Sequence, residues 1–335
     1  MIIPVGIKEN GYDITLSRGA LSFAGEILEL DRKVLVVTDT GVPSEYSDTV
    51  ASMCKTAVRV CLPQGESSKC FENYKLLLSK MLEADFTRGD CVVAVGGGVV
   101  GDLCGFAASC YMRGIDFYNI PTTLLSQIDS SIGGKTAIDF DGVKNVVGSF
   151  YQPKAVLIDP NVLKTLEKRQ LHSGLAEAIK MSLTSDAELF ELMEKSCNLD
   201  ADLDEIIERS LMIKRDVVEK DPQEKGLRRV LNFGHTIGHA VESFNGGKLL
   251  HGECVAIGMP PMCSEELKKR VTGVLRKYDL PYSVSESGAQ LLPYIVHDKK
   301  MKEGKVTVVT VQKPGEFAFA ALSPEEITQR LEKSL

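Results

Sequence analysis

Three of the chain's five histidines fall inside one stretch, Arg228 to Cys254, and their spacing suits chemistry. His235 and His239 stand one helical turn apart in a segment with helical periodicity, so both rings share a face; His251 follows a short turn containing Gly246 and Gly247. Converging imidazoles, often completed by an acidic residue, are how proteins hold a borderline divalent metal such as zinc with one position open. Histidines so spaced are also common on surfaces and in cores. The H-x-x-x-H here lacks the Glu after its first His that marks zinc proteases, so spacing alone leaves both readings open. On a helix extended backward, Arg228 and Asn232 would share the face of His235.

A second constellation begins at Gly96-Gly97-Gly98-Val99-Val100-Gly101-Asp102. It fits G-x-G-x-x-G between an apolar run, Cys91 to Val95, and an apolar helix expected over Leu103 to Met112. Glycines there let backbone approach a pyrophosphate, and a helix N-terminus offers it unpaired N–H groups and a positive dipole. No acid lies at the usual distance downstream, and a tight structural turn would read the same way; Asp39 could serve the ribose from an earlier strand. Farther on, Gly133-Gly134-Lys135-Thr136 resembles the end of a phosphate-binding P-loop. The position that would need its first glycine is Asp129, so that motif is rejected. The polar segment carrying Asp129, Lys135, Asp139, Lys144 and Asn145 reads as a binding loop, with a solvated surface loop as the alternative.

Elements must position these groups. Short apolar runs at 34–39, 58–62, 91–95, 117–120 and 155–158 alternate with helical spacing such as Tyr74 to Leu82, which implies a parallel sheet with helices on its faces. Beyond Asp159-Pro160 helical periodicity takes over, placing a domain boundary near 160. Glu177 and Lys180 sit i, i+3 on a helix expected over Leu171 to Leu183, a spacing that favours a surface ion pair. Lys214 and Arg215 lie on a charged helix, an apolar helix runs from His251 to about Lys269, and strands are expected at Val306–Val311 and Glu316–Leu322. Ser323-Pro324-Glu325-Glu326 caps the last helix.

The chain has 335 residues, 44% hydrophobic and 25% charged, with net charge −7. That length suits two domains, each with its own core. The negative balance argues against nucleic acid or an anionic membrane as partner, but leaves small anions open where lysines and arginines cluster. No apolar run reaches the roughly 18 residues of a membrane span, and the N-terminus lacks a signal-peptide pattern, so the expected location is the cytoplasm. Nine cysteines without a C-x-x-C pair read as reduced thiols.

Taken together, Gly-Gly-Gly-Val-Val-Gly-Asp-Leu, Tyr-Met-Arg-Gly, Pro-Thr-Thr-Leu-Leu, Asp-Ser-Ser-Ile-Gly-Gly-Lys-Thr, Gly-Leu-Ala-Glu-Ala-Ile-Lys, Leu-Asn-Phe-Gly-His-Thr-Ile-Gly-His and His-Gly-Glu resemble the 3-dehydroquinate synthases, in consistent order over about residues 34 to 301. The resemblance implies an α/β, Rossmann-like NAD-binding domain with a parallel sheet over 1–160, then a mainly α-helical metal- and substrate-binding domain over 161–335. It implies NAD and one divalent metal, zinc or cobalt, and conversion of 3-deoxy-D-arabino-heptulosonate 7-phosphate into 3-dehydroquinate and phosphate in the shikimate pathway. In that reaction hydride passes to NAD and returns, phosphate is eliminated in between, and an intramolecular aldol step closes the ring.

By the same resemblance Glu177, His235 and His251 would be the metal ligands. NAD would lie against Asp39, Glu66, Lys69, Gly97, Gly98, Asp102, Thr122, Thr123, Leu125, Lys144 and Thr165. His239, Lys180, Lys135, Asn145 and Asp129 would serve catalysis, and Lys214, Arg228, Asn232 and Lys300 would bind the anionic sugar phosphate. A homodimer is implied, with Arg113 reaching the neighbouring subunit's substrate. Lys135, Lys180, Lys214 and Arg228 supply the cations that a carboxylate and a phosphate require. A sibling sugar-phosphate cyclase would share fold, NAD and metal. A metal-dependent polyol or alcohol dehydrogenase would not need those four cations together, and a protein that had lost its chemistry would not be expected to keep every ligand candidate.

Overall fold

The computed structural model describes residues 1–296, 301–302 and 304–333. Lys300, expected at the substrate, and its neighbours Asp298 and Lys299 lie outside the described residues. Two compact units emerge, Met1–Glu167 and Lys168–Leu335, so the division falls after Glu167 where the sequence suggested 160.

The first unit is built on β1 (Ile2–Val5), β2 (Tyr12–Leu16), β3 (Lys33–Asp39), β4 (Thr56–Leu62), β5 (Cys91–Gly96), β6 (Asp116–Pro121) and β9 (Ala155–Ile158). They form one sheet in the order β1-β2-β9-β6-β5-β3-β4. Every neighbouring pair is parallel except β1 with β2. The continuous apolar runs have a direct physical cause. Along β3, Leu35 and Val37 enter one core cluster while Val34 and Val36 enter another; β5 divides Val92 and Ala94 from Cys91, Val93 and Val95 in the same way. Period-two alternation sends successive side chains to opposite faces, and both faces are covered, so the runs at 34–37 and 91–95 are apolar throughout. Burying each such side chain contributes about 1.5–3 kcal/mol. An aspartate at Val93 would place an unpaired charge in this layer.

The segment expected to be a binding loop is ordered instead as a π-helical turn, Ser126–Ser130, followed by a two-stranded antiparallel hairpin, β7 (Lys135–Phe140) and β8 (Val143–Phe150). Its polar residues hid the strand pattern. Thr136 and Ile138 turn inward, Ile138 joining the core with Val147 packed against it, while Phe140, Val143, Val146 and Phe150 on this hairpin are exposed.

The second unit carries helices Lys168–Ser185, Ala187–Lys195, Leu199–Lys220, His235–Asn245, His251–Gly258, Glu265–Lys277, Gly288–Val296 and Pro324–Glu332. A three-stranded antiparallel sheet, Met301–Lys302, Lys305–Lys313 and Glu316–Leu322, accompanies them. The last helix starts as expected: Ser323 Oγ accepts from Glu326 N, and Glu326 accepts in return from Ser323 N at 2.7 Å. Two expectations fail for local reasons. Arg228 and Asn232 lie on a separate 3-10 turn, Leu227–Asn232, because Gly234 enters the left-handed region at φ 76° and breaks the chain before His235. The helix from His251 stops at Gly258 instead of reaching Lys269, since Pro260 and Pro261 cannot supply the next backbone N–H groups.

Candidate functional site

In the first unit the expected nucleotide contacts gather at the carboxyl ends of neighbouring strands, where open α/β sheets bind ligands. Asp39 ends β3, Gly97 follows β5, and Thr122 and Thr123 follow β6. The helix after β5 begins at Gly98, so the glycine motif forms its first turn; the sequence had placed that helix from Leu103. A Cβ on Gly97 would sit 3.2 Å from Thr123 Cγ2, and one on Gly98 2.9 Å from Ser130 Oγ. The glycines keep the helix N-terminus open, so a cradle for a pyrophosphate fits what is present. Asp39 accepts from Gly41 N at 2.8 Å. Burial raises its pKa, against the opposing hydrogen bonds from Gly41 and Val42.

Lys69 is almost fully buried. It bonds Asp102 Oδ2 at 2.7 Å and Asn145 Oδ1, with Glu66 3.7 Å away. Burial pushes the Asp102 carboxyl up to about 6 although the Lys69 ammonium pulls it down. Leu125 and Asp129 are partly buried around the π-helical turn, while Lys135, Lys144 and Asn145 are exposed on the hairpin. Asn145 holds a left-handed backbone at φ 52°. The Thr165 hydroxyl lies 2.9 Å from Tyr46 Oη.

In the second unit three helices meet at a carboxylate. Glu177, at the middle of Lys168–Ser185, is fully buried with Lys180 beside it. The i, i+3 pair expected at the surface is thus an interior ion pair between Lys180 Nζ and Glu177 Oε2. Spacing could not reveal this, because a helix offers the same geometry on any face. His235 and His251 are each the first residue of their helices, and their Nε2 atoms lie 3.8 Å and 3.6 Å from Glu177 Oε1.

Glycines allow the convergence. A Cβ on Gly252 would lie 1.9 Å from Ser173 O, one on Gly258 1.9 Å from Gly234 O, and one on Gly238 3.0 Å from Cys254 O. The helices touch backbone to backbone, which lets side chains as short as imidazole and carboxylate span the gap. Glu253 secures the start of the last helix, accepting from Leu250 N at 2.8 Å and pairing bidentately with Arg169 at 2.7 Å.

The ligand test is favourable. Glu177 Oε2 is met by the Lys180 ammonium, but the buried Oε1, which faces both histidines, has no hydrogen-bond partner, and such an oxygen is costly without a second cation. His235 Nδ1 lies 3.0 Å from Phe233 O; donation there leaves Nε2 bare toward Glu177. Burial, then the Lys180 ammonium and the other two histidines, holds His235 well below its usual pKa, in the neutral form a metal takes. His251 is raised: burial lowers it, but Glu242, 3.2 Å from Nδ1, and Glu177 outweigh that. His239 is exposed, its ring 5.3 Å from that of His235 and 5.9 Å from that of His251.

Around this centre Lys214 and Arg228 are also buried. Asp221 shapes the turn that presents Arg228, accepting from Lys225 N, Gly226 N and Arg228 N. Glu224 accepts from Asn232 Nδ2 at 2.7 Å. The sequence reading missed Asp221, Glu224, Glu242 and Glu253. Glu242 had a signal: it follows His235 and His239 at helical intervals on the same face.

Comparison with known proteins places this geometry. Residues 59–173 match the family model for the 3-dehydroquinate synthase N-terminal domain and residues 174–301 that for its C-terminal domain. The 3-dehydroquinate synthase of Enterococcus faecalis is 41% identical, with 98% of this chain and 97% of the relative covered. That of Streptococcus thermophilus is 40% identical over 99% and 100%. Among solved structures, a 2-epi-5-epi-valiolone synthase from Streptomyces hygroscopicus with NAD+ and Zn2+ bound superposes with TM-score 0.88 at 29% identity, covering 98% of each chain. A 2-deoxy-scyllo-inosose synthase complexed with carbaglucose-6-phosphate, NAD+ and Co2+ shares the fold at TM-score 0.90 and 24% identity over both full chains.

Proposed function

The chain belongs to the 3-dehydroquinate synthase family, and from that premise we propose that it converts 3-deoxy-D-arabino-heptulosonate 7-phosphate into 3-dehydroquinate and phosphate, using NAD and a divalent metal. The observation that carries this reading is the buried Glu177 Oε1, without a hydrogen bond, facing His235 Nε2 and His251 Nε2, with Lys180 on the other oxygen and Lys214 and Arg228 buried in the same unit.

Glu177, His235 and His251 are assigned to the metal, which when bound supplies Lewis-acid polarisation and a template for substrate hydroxyls. NAD, assigned to Asp39, Glu66, Lys69, Gly97, Gly98, Asp102, Thr122, Thr123, Leu125, Lys144 and Thr165, supplies a hydride acceptor that is restored within each turnover. Lys180, Lys214 and Arg228 neutralise an anionic substrate, and their burial strengthens that attraction. Asn232, held by Glu224, and the Asp221-shaped turn orient it. His239, solvent-facing beside the two ligand histidines, carries protons between substrate and water. Asp129, Lys135 and Asn145 are assigned to the substrate as well.

We assign a homodimer, with Arg113 serving the partner's substrate. Exposed Phe140, Val143, Val146 and Phe150 support it. So does Arg113 itself, exposed, left-handed at φ 69° and without an ion-pair partner among the described residues. No described helix is long and apolar enough to cross a membrane, and we assign the protein to the cytoplasm.

The test is turnover with the heptulosonate phosphate, NAD and zinc, coupled to a dehydroquinase. The expected outcome is phosphate release with no net NADH. Stoichiometric NADH would favour a polyol dehydrogenase, and turnover of glucose 6-phosphate or sedoheptulose 7-phosphate instead would favour a sibling cyclase.

A further inference from the structure

Glu242 lies on the helix His235–Asn245 with its side chain 14% exposed. Its Oε2 is 3.2 Å from His251 Nδ1, while His251 Nε2, across the ring, is 3.6 Å from Glu177 Oε1. A neutral imidazole carries one proton and one lone pair, and an ionised carboxylate can only accept. Facing Nδ1, Glu242 therefore draws the proton to that nitrogen and leaves the Nε2 lone pair toward Glu177. Phe233 O does the same for His235. The two acceptors differ in kind: a backbone carbonyl is fixed and neutral, whereas a carboxylate is charged and makes the ring a stronger donor.

We propose that Glu242 is a positioning residue of the metal centre, selecting the Nδ1–H tautomer of His251 and aiming its Nε2 at the cation. This rests on the ligand assignment of Glu177, His235 and His251 made above. His239, Glu242 and His251 also stand close enough to seat an ion themselves. Seating an ion there through His251 Nδ1 while Nε2 serves an ion at Glu177 would need both ring lone pairs at once, which requires the ring to lose its remaining proton. Of these carboxylates, Glu177 is the one with a buried oxygen, Oε1, that no hydrogen bond or ammonium meets. The geometry favours one ion there, with Glu242 acting through the ring.

The test uses full-length protein stripped of metal and titrated with Zn2+ and Co2+ in the absence of substrate. Three quantities are read: the metal dissociation constant by competition with a chromophoric chelator, the visible spectrum of bound Co2+, and the melting temperature of the metal-free protein. Glu242→Ala and Glu242→Met, the second keeping the volume without an acceptor oxygen, should weaken metal binding about 10- to 100-fold and alter the Co2+ bands. Their metal-free melting temperatures should stay close to wild type. Glu242→Gln, whose carbonyl oxygen still accepts from Nδ1–H, should recover to within about 3-fold. His251→Ala should lose stoichiometric metal.

Wild-type affinity and spectrum in Glu242→Met, with metal lost in His251→Ala, would overturn the role of Glu242 and leave the ligand set standing. Full metal in His251→Ala would overturn the ligand set itself. If the wild type took up two equivalents, and His239→Ala and Glu242→Gln each reduced this to one, Glu242 would be a ligand and the positioning role would fall.

Discussion

The two units use the same residue to opposite ends. At the nucleotide end of the first unit, Gly97 and Gly98 hold a helix N-terminus open, and the side chains nearest a Cβ there are flexible tips, Thr123 Cγ2 and Ser130 Oγ. Around Glu177 in the second, Gly252 and Gly258 close space: a Cβ would strike Ser173 O or Gly234 O, both backbone. One set closes on side-chain tips at the proposed nucleotide approach, the other lets helices touch backbone to backbone so that the proposed ligating side chains meet. Glycine by itself therefore says little about function. What a methyl group would displace distinguishes the two uses.

Gly252→Ala should produce the largest effect. The methyl has to push two helices apart, costing about 3 kcal/mol or more, and the shift moves His251 away from Glu177. Thermal melting should fall by several degrees and metal content with it. Unchanged melting and full metal would erase the contrast between the units. Gly98→Ala should do the reverse. Ala suits a helix at least as well as Gly, so melting should stay near wild type, while a methyl at the pyrophosphate approach weakens NAD binding about 10-fold, read by calorimetry. A melting loss as large as that of Gly252→Ala would show that Gly98 also supports packing.

The smallest expected effect concerns Asp102. With its carboxyl pushed up to about 6 against the ordinary 3.8, the folded state binds the proton more tightly than the unfolded one. Stability from this group is thus full below about pH 4 and falls as pH rises to about 6. Asp102→Asn should remove that decline, on the order of 1 kcal/mol once solvent screening of the partly exposed carboxyl is counted. Urea unfolding at pH 4.5 and 7 for both proteins reads the difference.

The parallel strands were legible because helices cover both sheet faces, so each reads as an unbroken apolar run; β3 and β5 appear within a residue or two of their observed bounds. The metal constellation was legible in its histidines, whose helical spacing survives into the structure as rings 5.3 Å apart. Burial of Glu177 and Lys180 was not, since spacing along a helix does not say which way the face points. The 3-10 turn carrying Arg228 was hidden because a helical period continues through Gly234 in the sequence although the backbone does not. The hairpin of β7 and β8 was hidden for a different reason: Ile138 and Val147 pack inward while Phe140, Val143, Val146 and Phe150 are exposed, so apolar residues fall on both faces and blur the alternation on which strand recognition relies.

Met112 and Arg113 lie side by side in the left-handed region, at φ 47° and 69°, ahead of Gly114. Each such non-glycine residue costs on the order of 1 kcal/mol or more relative to glycine there. A screen for heat resistance would therefore select glycine at either position, and on the role proposed for Arg113 a screen for turnover would select against it there. Heat stability and the role proposed for Arg113 pull apart at this one turn, so an adaptation to high temperature would relieve Met112 and leave Arg113 strained.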